Sequence, residues 1–153
     1  MSSTPENHVN MLAEITRKIA SGDAPAPPIA KLIGFHPVSA ANGEAVFEME
    51  AGERHWNPMG TLHGGILCDI GDAAMGFAYA TTLAEGESFT TIELKINFLR
   101  PVRKSRLRAA AHVVKRGRKI GLVECDVTDE KGNLVARMSS TCMTLAGDDA
   151  RGR

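Results

Sequence analysis

Apolar residues follow three rhythms along this chain of 153 residues, and each rhythm predicts an element. In residues 7–20, NHVNMLAEITRKIA, Val9, Leu12, Ile15 and Ile19 recur at helical spacing. They predict a short amphipathic helix ended by Ser21-Gly22. The run APAPP, Ala24 to Pro28, is too proline-rich for helix or central strand and reads as an extended connector. From Phe35 the period falls to two. Ala45, Phe47 and Met49 alternate with Val46, Glu48 and Glu50, and Ala41-Asn42-Gly43 between two short extended segments signals a hairpin. A turn-rich stretch, Glu53 to Gly65, leads into a long helix from Ile66 to about Leu83. Its stripe of Ile66, Ile70, Ala73, Ala74, Phe77 and Ala80 is so broad that other structure is expected to wrap it. Asp69 and Asp72 interrupt that helix, three residues apart and therefore on nearly one face.

The second half is strand-like throughout. Ile92, Leu94, Ile96 and Phe98 alternate with Glu93, Lys95 and Asn97, predicting a half-buried strand. Leu107, Ala109, Ala111 and Val113 continue the pattern up to a turn at Arg116-Gly117-Arg118. Leu122 to Val127, a turn at Asp129–Gly132, and Leu134 to Leu145 complete it. Consecutive strands joined by tight turns imply an antiparallel sheet. The expected architecture is α+β: a hairpin, one buried helix and four strands curled round that helix. Residues 1–30 then hold an N-terminal helix and connector, 31–146 the domain, and 147–153 a disordered tail. No internal repeat or low-complexity segment interrupts this plan.

Composition narrows the function classes. Eighteen basic and eighteen acidic side chains give a net charge of zero, which argues against a nucleic-acid binder. The longest apolar or small run, Ala73 to Ala80, is far too short to span a membrane. The first thirty residues show no apolar core behind a basic start, so no secretory signal is expected. Cys68, Cys125 and Cys142 are widely spaced and read as reduced core thiols of a cytoplasmic protein. The five histidines lack metal-ligand spacing, so no metal is expected. Neutrality nevertheless conceals segregation. Nine cations lie between Arg100 and Lys119, and no acid occurs from Leu94 through Val123.

One constellation carries chemistry. Asn57-Pro-Met-Gly-Thr-Leu-His63-Gly64-Gly65, the acid Asp72 nine residues beyond His63, Thr91, and Ile96-Asn-Phe-Leu-Arg-Pro101 occur in that order. Together they resemble the hotdog-fold acyl-CoA thioesterases, in particular the PaaI-like subgroup linked to phenylacetate degradation. The resemblance runs from about Gly34 to Leu145. It implies a hotdog fold, an antiparallel sheet wrapped around one long central helix. It also implies hydrolysis of an acyl- or aryl-CoA thioester to free acid and coenzyme A. No cofactor is implied beyond the coenzyme A of the substrate. The partners implied are the acyl-CoA and further copies of the chain, as a dimer or tetramer.

Thioester hydrolysis needs an electrophilic aid for the carbonyl oxygen and a base or nucleophile for the attack. Gly64 stands where the long helix begins, so its N–H has no intrahelical partner and no side chain bars a carbonyl. The plainer alternative is that Gly64 and Gly65 merely ease a loop-to-helix turn. Asp72 is the acid candidate, expected to assist water rather than attack directly. Eight residues of helix, about 12 Å, separate it from Gly64, so the two groups are expected to meet across a two-fold interface. By the resemblance, Asn57 holds the substrate carbonyl or the water, and Thr91 orients the water. Ordinary roles compete for both, a turn opener and a strand residue. His63 is expected to fix the loop through hydrogen bonds, and Asp69 to serve a structural role. Gly65, Arg116 and Arg118 are expected to bind substrate, the arginines through coenzyme A phosphates. Trp56, Met59, Phe77 and Tyr79 are candidates to line the acyl pocket. Rival readings are a dehydratase or hydratase on acyl thioesters, a non-catalytic acyl-CoA binder, and a polynucleotide binder. The hydratase pattern of aspartate followed five residues later by histidine is absent. Polynucleotide binding suffers from a chain holding only seven aromatic residues.

Overall fold

The computed structural model describes residues 10–152. The first helix, α1 (Met11–Ser21), is capped by Asn10, whose Oδ1 accepts from the Ala13 N–H at 2.9 Å, and it ends at Gly22 with φ 82°. Residues 7–9 of the predicted helix lie outside the described residues. The apolar stripe packs only in part: Leu12 lies against the core and Ile19 is half-buried, but Ile15 is 41% exposed, and the most buried positions are Ala13 and Thr16. Small side chains there let α1 lie close to β1 and α3, and the longer Ile15 is left outside. The expected extended connector also needs correction. Its last proline opens a one-and-a-half-turn helix, α2 (Pro28–Ile33), where a missing N–H costs nothing, and Gly34 at φ 94° stops it.

Strands β1 (Phe35–Ala41) and β2 (Glu44–Ala51) form the predicted hairpin around Asn42 and Gly43, at φ 53° and 79°. Ala45, Phe47 and Met49 point inward as their alternation requires. Phe47 meets Phe35 and Phe77 edge-on, with centroids 5.9 and 4.9 Å apart. Complete burial of such a ring stabilises by about 1.5–3 kcal/mol.

The long helix, α3 (Gly64–Ala80), begins two residues earlier than its apolar pattern and stops three earlier. The start is set by a cap, because His63 Nδ1 accepts from the Gly65 N–H at 2.9 Å. Nor is α3 wrapped on all sides. Leu67, Ile70, Ala74, Met75, Ala78 and Tyr79 are buried, but Asp72 is exposed, and Asp69, Ala73 and Gly76 are partly so. One face of small and acidic residues is therefore left uncovered by the described residues.

Strands β3 (Ser88–Phe98), β4 (Ser105–Arg116), β5 (Ile120–Thr128) and β6 (Leu134–Leu145) complete a six-stranded antiparallel sheet in the order β1-β2-β4-β5-β6-β3. Tight turns do join β4, β5 and β6 as expected. Strand β3 does not pair with its successor, however. Helix α3 carries the chain across the concave face to the far edge, where β3 joins β6. A bulge then changes the phase of β3. Thr91 pairs with Cys142 and Glu93 with Thr141, so Ile92 is the extra residue. Ile92 is 54% exposed, out of step with the partly buried Leu94 and Ile96. Gly147–Ala150 form a short exposed 3-10 turn, with an Arg151–Asp148 ion pair of 3.0 Å.

Candidate active site

The segment before α3 is a clamped loop. Buried His55 bonds the Ile33 carbonyl through Nε2 at 2.8 Å and accepts from the Gly52 N–H through Nδ1 at 3.2 Å. The Trp56 indole N–H donates to the Arg103 carbonyl at 2.7 Å. Asn57 organises the turn to Thr61: its Oδ1 accepts from the Met59 and Thr61 N–H groups at 3.0 and 3.2 Å, and its Nδ2 donates to Thr61 Oγ1 at 2.9 Å. That uses one amide proton; the second has no partner among the described residues.

The loop delivers Gly64 to the first position of α3. Its N–H has no acceptor among the described residues and stands at the positive end of the helix dipole. A methyl group at this position would come within 2.8 Å of the Phe98 ring, so glycine keeps the approach to the N–H open. Asn57, Gly64, Leu67, Phe98 and Arg100 face one recess of about 410 Å³. This opening can receive an anionic oxygen.

Two turns further along α3, Asp72 opens into a different recess of about 260 Å³, shared with Thr91, Phe77, Phe89, Leu12 and Thr16. Asp72 touches solvent, yet it sits in a hollow among apolar walls. Burial by those surroundings, and then the charge of Asp69, hold its pKa above the usual carboxylate range. Burial also raises Asp69. The β3 bulge is what turns Thr91 toward this recess, on the side of buried Cys142; Thr91 Oγ1 and Cys142 Sγ are 4.0 Å apart. The Cys142 thiol is pushed up by burial and by Asp72, which marks it as a neighbour of that carboxylate.

The structure thus brings Asn57 to Gly64, and Thr91 to Asp72, but leaves the two pairs in separate recesses about 12 Å apart along the helix. Other expected residues are committed elsewhere. The Gly65 N–H is used by His63. Arg116 pairs with Glu87 at 2.9 Å, donates to Thr82 Oγ1 and the Gly117 carbonyl, and lies over the Tyr79 ring. Arg118 is exposed at the β4–β5 turn. Tyr79 is fully buried, with its hydroxyl 2.7 Å from Thr144 Oγ1, and lines neither recess. Met59 is 77% exposed at the loop tip, and neither it nor Trp56 faces the two recesses. Sequence reasoning missed Leu12, Thr16 and Phe89, because nothing in a one-dimensional pattern brings α1 and β3 to the middle of α3. It missed Phe98 as the neighbour of Gly64 for the same reason.

No helix among the described residues is long and apolar enough to cross a membrane. The Thioesterase superfamily profile matches residues 59–136, half of the chain. Human acyl-coenzyme A thioesterase 13 is 31% identical over 102 residues, which cover 65% of this chain and 72% of that protein. The 1,4-dihydroxy-2-naphthoyl-CoA hydrolase of Listeria monocytogenes is 27% identical over 107 residues, covering 70% of this chain and 87% of that one. The crystal structure of a phenylacetic acid degradation-related protein from Ralstonia eutropha superposes with a TM-score of 0.76 at 30% identity, covering 84% of this chain and 98% of that chain. A six-stranded antiparallel sheet around one long helix is the hotdog fold, and with these relatives the chain belongs to the Thioesterase superfamily of thioester hydrolases.

Proposed function

We propose that the protein hydrolyses an acyl- or aryl-CoA thioester to the free acid and coenzyme A, at a site built from two copies of the chain. The carrying observation is that one helix holds two half-sites opening into separate recesses, an N–H donor at Gly64 and a carboxylate at Asp72. Neither half can perform the reaction alone. Pairing Gly64 of one copy with Asp72 of another supplies both. Two features support self-association: the uncovered acidic and small-residue face of α3, and the β3 edge, where Ile92 and Phe98 are 54% and 57% exposed. An isologous pairing satisfies both sites at once.

In this reading the thioester carbonyl oxygen enters the Gly64 recess and accepts from the Gly64 N–H, with the free Asn57 amide proton as a second donor. Ionised Asp72 takes a proton from a water held with the help of Thr91, and the water oxygen attacks the carbonyl carbon. The oxyanion that forms gains more from the two donors than the neutral carbonyl did. Collapse re-forms the carbonyl, breaks the C–S bond and returns the proton from Asp72 to the departing thiolate. Water is the only co-reactant, so no cofactor is required. His63 acts as the helix cap that aims Gly64.

For the phosphates, Arg116 is replaced as a candidate because its guanidinium already has partners. Arg100 borders the Gly64 recess and also a neighbouring groove in which Arg103, Lys104 and Lys131 outnumber Asp129 and Glu130. Arg100 lies 3.7 Å from Asp129 and Lys104 2.9 Å from Glu53, but both cations remain more than half exposed, whereas Arg116 is not. This basic rim suits the anionic end of coenzyme A. Arg118 remains available at its exposed turn. Three free thiols and a coenzyme A substrate suit a cytoplasmic setting. The test is thiol release from a panel of acyl-CoAs by the wild type and Asp72→Asn. We expect kcat to fall at least about 100-fold with binding retained. Undiminished hydrolysis by the variant removes Asp72 from the mechanism, and tight acyl-CoA binding by the wild type without release identifies a binding protein instead.

A further inference from the structure

Strand β6 buries small polar side chains where an apolar core would be expected: Ser140, Cys142 and Thr144 alternate on its inner face. Thr144 is accounted for by the Tyr79 hydroxyl, 2.7 Å away. The other two belong to a longer arrangement. Ser140 Oγ lies 3.9 Å from Cys142 Sγ, and Cys142 Sγ lies 4.0 Å from Oγ1 of Thr91, its partner across the β3–β6 ladder. Neither hydroxyl has another hydrogen-bond partner among the described residues. The three groups form one relay, with the long, weak links expected of a thiol.

The direction of the relay follows from its donors. Burial holds the Cys142 thiol above its usual pKa, so the thiol keeps its single proton. That proton can be given to Ser140 or to Thr91. Given to Ser140, it leaves the Ser140 O–H without an acceptor at a position only 1% exposed, and an unpaired buried donor is costly. Given to Thr91, it lets Ser140 donate to the sulfur, and the one proton left over is that of Thr91. Thr91 alone of the three is not fully buried, and it lines the Asp72 recess. Both buried donors are satisfied only when the relay runs from Ser140 through Cys142 to Thr91.

We propose that Cys142, backed by Ser140, is a positioning residue for the hydrolysis: by donating to Thr91 Oγ1 it leaves the Thr91 O–H as a donor to the attacking water. This rests on the hydrolase reading above. The water then accepts from Thr91, gives one proton to Asp72 and keeps a lone pair for the carbonyl carbon. A Thr91 hydroxyl free to rotate would also accept from the water and compete with Asp72 for its proton. Fixing the hydroxyl beforehand removes that unproductive arrangement and needs no reorganisation during the reaction.

The test joins kinetics on a panel of acyl-CoAs to the infrared S–H stretching band of Cys142, identified by its loss in Cys142→Ala. Cys142→Ala and Cys142→Val should each lower kcat about three- to tenfold with KM little changed. Valine fills the space that alanine leaves empty, so recovery by valine shows a packing role and overturns the proposal. In a Thr91→Val background the Cys142 substitutions should have no further effect, because the relay acts only through Thr91. A loss that persists in that background, or no loss at all, overturns the positioning role. The S–H band should rise in frequency in Thr91→Val, where the thiol loses its acceptor, and stay in place in Ser140→Ala. A band moved by Ser140→Ala, or left in place by Thr91→Val, overturns the direction of the relay. A wild type silent toward every acyl-CoA, with the band moved by Thr91→Val alone, overturns the hydrolase reading and leaves the orientation of Thr91 standing.

Discussion

Asp72 and Asp69 stand one turn apart on α3, and their proximity gives a direct prediction at the level of single residues. Burial and the neighbouring charge both disfavour ionisation of Asp72. A base must be ionised to accept a proton, so the acidic limb of kcat/KM should lie above the ordinary carboxylate range. Asp69→Asn removes the like charge, lowers the Asp72 pKa and should move that limb to lower pH while leaving the plateau in place. A pH profile of kcat/KM for the two proteins checks this, and coincident limbs would exclude coupling between the aspartates. Residue identities in this region were legible in the sequence, since Asn57, Gly64, Asp72 and Thr91 all line one recess or the other. Their commitments were not. That Asn57 spends most of its bonds on its own turn, or Arg116 on Glu87, depends on side-chain partners that no spacing encodes.

At the level of elements, α3 works through its first residue. Proline is tolerated at the first helical position, where the missing N–H has no helical use, and His63 already has the extended backbone that a following proline demands, at ψ 132°. Gly64→Pro should therefore preserve the helix while deleting the proposed oxyanion donor, with the exposed Phe98 ring shifting to make room. Turnover should fall about 100- to 1,000-fold with helical content and thermal midpoint little changed, read by thiol release and circular dichroism. A variant that folds and retains turnover would show that the N–H is not the donor. The strands and α3 were readable from periodicity, because those elements meet the core with one regular face. Helix α1 and strand β3 were misread in part. Alternation placed Ile92 in phase with Leu94, but the bulge inserts one residue and turns Thr91 inward instead. A bulge leaves no mark in the hydrophobic pattern, and the closeness of α1 to β1 buries the small Ala13 and Thr16 beside Leu12 while leaving Ile15 outside.

For the whole molecule, the separation of the half-sites has a consequence for mixtures. Asp72→Asn alone and Gly64→Pro alone should each be inactive, since every site in a homodimer lacks one half. When the two are mixed and allowed to exchange copies, half of the pairs are hybrids, and each hybrid holds one intact site. Activity should return to about a quarter of the wild-type level under random pairing. An inactive mixture of proteins shown to have exchanged would sink the shared site. The overall neutrality of 18 against 18 gains meaning at this scale. Part of the basic run between Arg100 and Lys119 is neutralised locally, by Glu53 at Lys104, Glu48 at Arg108 and Glu87 at Arg116. Arg100, which lines the Gly64 recess, also has an acidic neighbour, Asp129 at 3.7 Å, but it stays 54% exposed and can still meet an anionic substrate.

The sequence by itself determined the α+β class, the hairpin, the long helix, and the spacing that puts a glycine and an aspartate eight residues apart. Those features are local: a period, a turn dipeptide or a helical rise fixes each of them without reference to distant residues. Tertiary structure alone decided that β3 crosses to the far edge, that α3 keeps one face uncovered by the described residues, and that α1 brings Leu12 and Thr16 to the Asp72 recess. Each of these depends on which surfaces meet after collapse. The choice is made by the size and partners of side chains remote in the chain, which a pattern of apolar and polar positions does not contain.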